Sequence, residues 1–144
     1  MSLMHNVHET LSALPYFIDN EYLAKYAQLI ERNTRTLQRN RQTHSHHIIP
    51  KSWYKLTNNC TDNHLTNLVN LPVREHVLAH YYLCLCTTDP FRYANELALM
   101  CLQTKKRLNP VDIQLLHGLP LYNNIYDDYM TKLKSNYKLY TEDQ

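Results

Sequence analysis

Apolar positions along the chain switch between helical spacing and short extended runs. Leu23, Tyr26, Ala27 and Ile30 recur three and four residues apart, the spacing of one helix face. Asn20 stands before them as a capping residue, so a helix is predicted over residues 20–39. Residues 42–50 read as extended, because Ile48 and Ile49 are β-branched and Pro50 turns the residue before it away from helix. Residues 53–66 are polar and rich in Asn and Thr, which predicts a loop, and Leu68 to Leu71 is a short strand. Pro72 is expected in the first turn of a helix running to Cys86, where its missing N–H costs nothing. Thr88-Asp89-Pro90 and Asn109-Pro110 repeat that start signal, and Gly118 is expected to close the second of these helices as a C-cap. Tyr122, Ile125, Tyr126, Tyr129 and Leu133 mark one face of a last helix over residues 121–140. The order helix, strand, loop, strand, helix, then more helices is an α+β fold with a minimal β-element. A length of 144 residues fits a single domain.

Composition narrows the chemistry. Gly118 is the only glycine, which excludes glycine-rich phosphate loops and leaves the turns to Asn, Asp and Pro. No apolar run approaches the length of a membrane span, and the first residues lack the apolar core of a signal peptide. No membrane partner and a cytoplasmic location are therefore expected. Cys60, Cys84, Cys86 and Cys101 form no Cys-x-x-Cys pair, which argues against a four-cysteine zinc knuckle. They are expected to be reduced thiols, with Cys84 and Cys86 in the core. The formal net charge is only +2, but no Asp or Glu occurs from Arg32 to Thr61, which carries Arg32, Arg35, Arg39, Arg41, Lys51 and Lys55. Such a run is a solvated face or a surface for phosphates. It leads directly into a cluster of histidines, which favours the phosphate surface.

Six of the nine histidines lie between residues 44 and 80. His76 and His80 are four apart on a predicted helix, so both leave the same face and can hold one metal ion. His46 and His47 are neighbours on an extended segment, where adjacent side chains point to opposite faces. One can then bind a metal while the other meets water or a phosphate. An imidazole titrates near pH 6.5, which suits a general base. Taken alone, either pair is as easily a packing or surface pair. Asn67 lies between them at a position that would ordinarily close a turn.

The segments His46-His47-Ile48-Ile49-Pro50-Lys51-Ser52, Asn67-Leu68-Val69-Asn70-Leu71 and Arg74-Glu75-His76-Val77-Leu78-Ala79-His80 together resemble the HNH endonucleases. The resemblance is strongest to the small ones encoded by phages and mobile elements, homing endonucleases among them. It covers residues 41–86 and implies a ββα-metal (His-Me finger) core embedded among flanking helices. Residues 20–40 would be the preceding basic helix and residues 90–140 a helical tail. It implies that His46, His76 and His80 ligate one divalent metal ion (Zn, Ni, Mg or Mn). His47 would be the general base, and Asn67 would brace the loop that orients it, though the matching residue binds the metal in some relatives. A histidine, His44, stands where relatives often carry an acid, and Trp53-Tyr54 replace a frequent glycine pair. The implied activity is hydrolysis of DNA phosphodiester bonds, with Arg35, Arg39, Arg41, Lys51 and Arg74 as candidate phosphate contacts. The alternative is a non-catalytic, zinc-stabilised module that binds nucleic acid, which calls for a closed four-ligand site.

If the basic segment meets DNA, affinity falls as salt rises, because binding at phosphates releases counterions. Replacing Arg35, Arg39 and Arg41 together by Gln should flatten the log–log salt slope by about 0.9 for each phosphate that is no longer neutralised. Fluorescence anisotropy on a labelled duplex measures it, and an unchanged slope would move the DNA surface elsewhere.

Overall fold

A computed structural model describes residues 6–34, 43–60, 65–105 and 108–137. Within them the chain runs α1 (Val7–Ser12), α2 (Glu21–Asn33), β1 (Thr43–His47), α3 (Lys51–Leu56), a 3-10 turn (Leu65–Asn67), β2 (Leu68–Pro72), α4 (Val73–Leu85), α5 (Phe91–Lys105), α6 (Pro110–His117) and α7 (Tyr122–Lys134). The fold is α+β, mostly helical, with one two-stranded antiparallel sheet. Among the described residues no helix is long and apolar enough to cross a membrane.

Helix α4 organises the rest because it is apolar on more than one side. Ala79 and Leu83 face a larger core with Leu23, Tyr26, Ile30, Ile48 and Leu71. Val77, Tyr81 and Cys84 face a second core with Leu99, Leu116, Tyr122 and Ile125. Each fully buried Leu or Ile there stabilises the fold by about 1.5–3 kcal/mol relative to exposure. The remaining side of α4, carrying His76 and His80, faces β1. In the sheet His44 pairs with Leu71 and His46 with Val69. Strand alternation puts His44 and His46 on the face towards α4, and Ser45 and His47 on the other.

Caps and turns follow the shortage of glycine. The Asn20 side chain accepts from the Tyr22 and Leu23 amides at 2.9 and 3.1 Å, and its Nδ2 donates to the Leu85 carbonyl. One residue thus caps α2 and ties it to the last turn of α4. Asn109 caps α6 through the Asp112 amide, with Pro110 behind it. Asn58 and Asn136 both have φ of 58°. Each sits just past a helix end, where two successive amides return to the helix: Asn58 to Lys55 and Asn59 to Tyr54 in one case, Asn136 to Leu133 and Tyr137 to Lys132 in the other. This is the left-handed helix stop that glycine usually provides. Gly118 is the C-cap of α6 as expected, but in a right-handed conformation at φ −85°.

Several expectations need correction. The loop expected over residues 53–66 begins as helix α3, because Trp53 and Tyr54 bury their rings in the larger core and Trp53 Nε1 donates to the Pro15 carbonyl at 3.0 Å. That burial outweighs the polar character of the residues around them. Pro72 ends β2 in an extended conformation (ψ 148°) and stands just before α4, not in its first turn. Helix α2 stops at Asn33, and the basic positions 35–42 lie outside the described residues. In α7, Tyr122 and Ile125 are buried as expected, but Leu133 is 46% exposed and Lys132 is buried instead.

Lys132 is drawn in by acids on α5, on α7 itself and on the turn before α5. Its Nζ lies 2.7 Å from Asp89, 2.7 Å from Asp128 and 3.3 Å from Glu96, which is 1% exposed. Burial lowers the ammonium pKa, but the bonds to Asp128 and Asp89 outweigh it, and the net shift is upward. Burial, and then a hydrogen bond with Asp128, pushes Glu96 up to about 8. Glu96 is therefore protonated in the folded protein at neutral pH and ionised in the unfolded chain. Between the ordinary carboxyl range and pH 8 the folded state holds the extra proton, so this contribution to stability is complete at low pH and is lost as pH rises through about 8. Melting temperatures should fall steadily from about pH 5 to about 8 and level off above that, at about 3 °C per kcal/mol for a chain of this size. Glu96→Gln should flatten that fall, and an unchanged profile would mean that Glu96 is ionised when folded.

Candidate metal centre

Three imidazoles converge where β1 crosses α4. The four-residue spacing in α4 brings the Nε2 atoms of His76 and His80 to 3.1 Å. The His46 ring centroid lies 5.2 Å from that of His76 and 5.1 Å from that of His80. One donor atom from each of the three falls within 4.8 Å of the other two. His46 and His76 are buried, at 3% and 6% exposure, and His80 is half-buried.

The electrostatics keep the His46 and His80 rings neutral. Burial, reinforced by His80, His76 and His47, holds His46 well below the usual imidazole range. Burial alone pushes His80 down to about 4. Neutral rings keep a lone pair for a cation at physiological pH, as metal ligation requires. His80 Nδ1 is buried with no hydrogen-bond partner. An orphaned nitrogen beside two other converging imidazoles fits a site whose chemistry is completed by a cation. Three histidines can hold a metal ion, and imidazole donors suit zinc, nickel, copper or iron better than calcium.

The surrounding residues hold the three in place. His44 Nδ1 lies 2.8 Å from His76 Nδ1. Tyr26 Oη lies 2.7 Å from His46 Nε2 and donates to the Ile48 carbonyl at 2.8 Å. Asn67 is fully buried, with Oδ1 accepting from the Ile49 amide at 2.8 Å and Nδ2 donating to the Ile49 carbonyl at 3.2 Å. Its own carbonyl accepts from the Ile48 amide at 2.9 Å. Asn67 therefore clamps the bend that follows His47, and its side-chain oxygen is taken up by backbone.

An open cleft of about 390 Å³ runs past the histidines, lined by His46, His47, Lys51, Ser52, His76 and His80, with Cys101 and Ala98 of α5 on its far wall. His47 is half-buried on the strand face opposite His46 yet reaches this cleft. Arg74 lies elsewhere: its Nε bonds the buried Asp112 carboxylate of α6 at 3.2 Å, beside an apolar groove with Val77 and Leu115. Arg35, Arg39, Arg41 and His64 lie outside the described residues. Sequence reasoning gave His44 no role and read Tyr26 as packing alone. The two-residue step from His44 to His46 on a strand was a usable sign that both face α4. The partner of the Tyr26 hydroxyl has no sign in the sequence.

No protein-family model, curated protein or solved structure matches the chain.

The lowered imidazole values set a direction for acid stability. A histidine held neutral in the fold is protonated first in the unfolded chain. Stability from His80 is thus complete above the ordinary imidazole value of about 6.5 and is lost as pH falls from there towards 4. Zinc should raise the melting temperature at pH 7.5 by mass action and do so much less at pH 5, where protons compete. His76→Ala and His80→Ala should each lose most of that zinc shift in differential scanning calorimetry. A full shift in both variants would remove these residues from the metal site.

Proposed function

We propose that the chain is a metal-dependent nuclease of the HNH kind, in which β1, β2 and α4 form a ββα-metal core and DNA is the substrate. One observation carries this reading. Three histidines that can share a cation stand beside a fourth, His47, which opens onto the same cleft from the next position of the strand. A closed structural site has no use for such a neighbour. A hydrolytic site needs a group that is near the cation without being bound to it.

In this reading His46, His76 and His80 hold one divalent ion, zinc, nickel, magnesium or manganese. The ion supplies Lewis-acid stabilisation of the phosphoryl oxygens and of the departing 3′ oxygen. His47 takes a proton from the attacking water, and the products carry a 5′ phosphate and a 3′ hydroxyl. Asn67 acts through backbone: by gripping both polar groups of Ile49 it fixes the direction in which the end of β1 presents His47. Lys51, exposed at the cleft one turn beyond, is placed to neutralise a phosphate. Arg74 already neutralises Asp112 and is not needed for this role. A phosphodiester extended along the open cleft also fits its shape better than a small molecule that must be enclosed. The reading goes with a cytoplasmic location and reduced thiols.

Incubation of the protein with supercoiled plasmid and a panel of divalent metals tests the proposal directly. His47→Ala should bind zinc and DNA almost normally and cut about a hundred- to ten-thousand-fold more slowly. His46→Ala should lose metal and cutting together. DNA binding without metal-dependent cutting in the wild type would leave the non-catalytic zinc module standing. Equal cutting by wild type and His47→Ala would remove the general base.

A further inference from the structure

The Tyr26 hydroxyl sits in a position where its single hydrogen decides more than its own bond. Tyr26 is fully buried on α2, some twenty residues before the histidine it touches. Its oxygen has two neighbours within hydrogen-bond distance: the Ile48 carbonyl at 2.8 Å and His46 Nε2 at 2.7 Å. A carbonyl can only accept. If the hydroxyl gave its hydrogen to His46, two oxygens would meet at 2.8 Å in the dry core with no hydrogen between them, and the Ile48 carbonyl would lose this donor. The arrangement that satisfies all three groups has the hydroxyl donating to Ile48 and accepting from His46. His46 Nε2 then carries a hydrogen.

A histidine that ligates a metal must be neutral, and a neutral imidazole has one N–H. A hydrogen on Nε2 therefore leaves the lone pair on Nδ1. We propose that Tyr26 is a positioning residue that fixes the tautomer of His46, so that His46 offers Nδ1, and not Nε2, to the metal. The bond geometry also fixes the ring: the Tyr26 and His46 rings meet edge to face at 74° with centroids 6.0 Å apart. His46 then cannot turn Nε2 inwards without breaking the Tyr26 bond. Through Ile48 the same hydroxyl reaches the bend clamped by Asn67. Helix α2 thus joins the metal ligand and the backbone that follows His47 in a single hydrogen-bonded unit.

His76 is arranged in the complementary way. Its Nδ1 is engaged by His44, and its Nε2 faces His80. The donors that result are Nδ1 from His46 and Nε2 from His76, beside the unpartnered Nδ1 of His80.

The inference rests on the three histidines holding a metal; it does not depend on the substrate. In metal-free protein labelled with ¹⁵N, long-range imidazole ¹H–¹⁵N correlation reads the tautomer of each histidine directly. The wild type should show His46 as a single Nε2–H form, and a dominant Nδ1–H form would overturn the proposal whatever any variant does. Tyr26→Phe keeps the ring and removes only the hydroxyl. Its His46 should show both tautomers, and its zinc dissociation constant, read by competition with a chromophoric chelator, should rise about 10- to 100-fold. A general loosening of the core would not by itself move a tautomer ratio. Zinc affinity within twofold of wild type would overturn the proposal. A wild type that binds none of zinc, nickel, magnesium or manganese would overturn both this inference and the nuclease reading, whereas one that binds zinc tightly but never cuts DNA with any of them would overturn the nuclease reading alone.

Discussion

The contact between β1 and α4 is made of imidazoles, and the surrounding elements answer to what a buried imidazole requires. Transferring a charged ring out of water costs several kcal/mol unless it is paired, and no acid among the described residues lines the histidine cleft. The rings respond by staying neutral, as the depressed values of His46 and His80 show. A neutral ring still has one donor and one acceptor to satisfy. The Tyr26 hydroxyl serves His46, and His44 serves His76. Tyr26 can do so only if α2 lies along α4 at a fixed register. Asn20 supplies that register by capping α2 while bonding the last turn of α4.

Precision at the site comes from elements and not from loops. His76 and His80 stand on a helix packed between two cores, and His46 stands on a strand paired along its length with β2. The short sheet has only one pairing, which is marginal by itself. It is held at one end by Asn67, which replaces what a third strand would provide by bonding Ile48 and Ile49 through its own backbone and side chain. Losing that side chain would leave two buried backbone groups of Ile49 without these bonds, each costing about 1–3 kcal/mol.

What the sequence discloses and what it conceals divide along the range of the interactions. Helix starts at Asn20 and Asn109, the two strands and the helix faces of Leu23, Ile30, Tyr122 and Ile125 depend on neighbours within a few residues, and they are legible. The His76–His80 pair is legible from spacing, whereas alternation leaves open which of His46 and His47 meets it, and only the resemblance points to His46. Helix α3 is not, because its local sequence is polar and only distant burial of Trp53 and Tyr54 makes it fold. The burial of Lys132 in place of Leu133 is hidden for the same reason, since it depends on Glu96 and Asp89 some forty residues away. Arg74 looks available for phosphate until Asp112 is placed beside it.

Two of the buried polar clusters among the described residues are handled by opposite means. At the junction of α5 and α7 the fold compensates charge. Lys132 meets Asp89 and Asp128, and Glu96 keeps its proton and bonds Asp128. Every group there has a partner supplied by the chain, so the cluster is complete without a ligand and reads as a structural tie. Beneath β1 the chain removes charge instead and leaves His80 Nδ1 buried without a partner. Three lone-pair donors converge there, and no acid among the described lining residues answers them. A buried polar cluster left short by its own chain is stable only at a cost that something else offsets. The difference between these two clusters, and not the number of histidines, is the physical reason to place the ligand beneath β1.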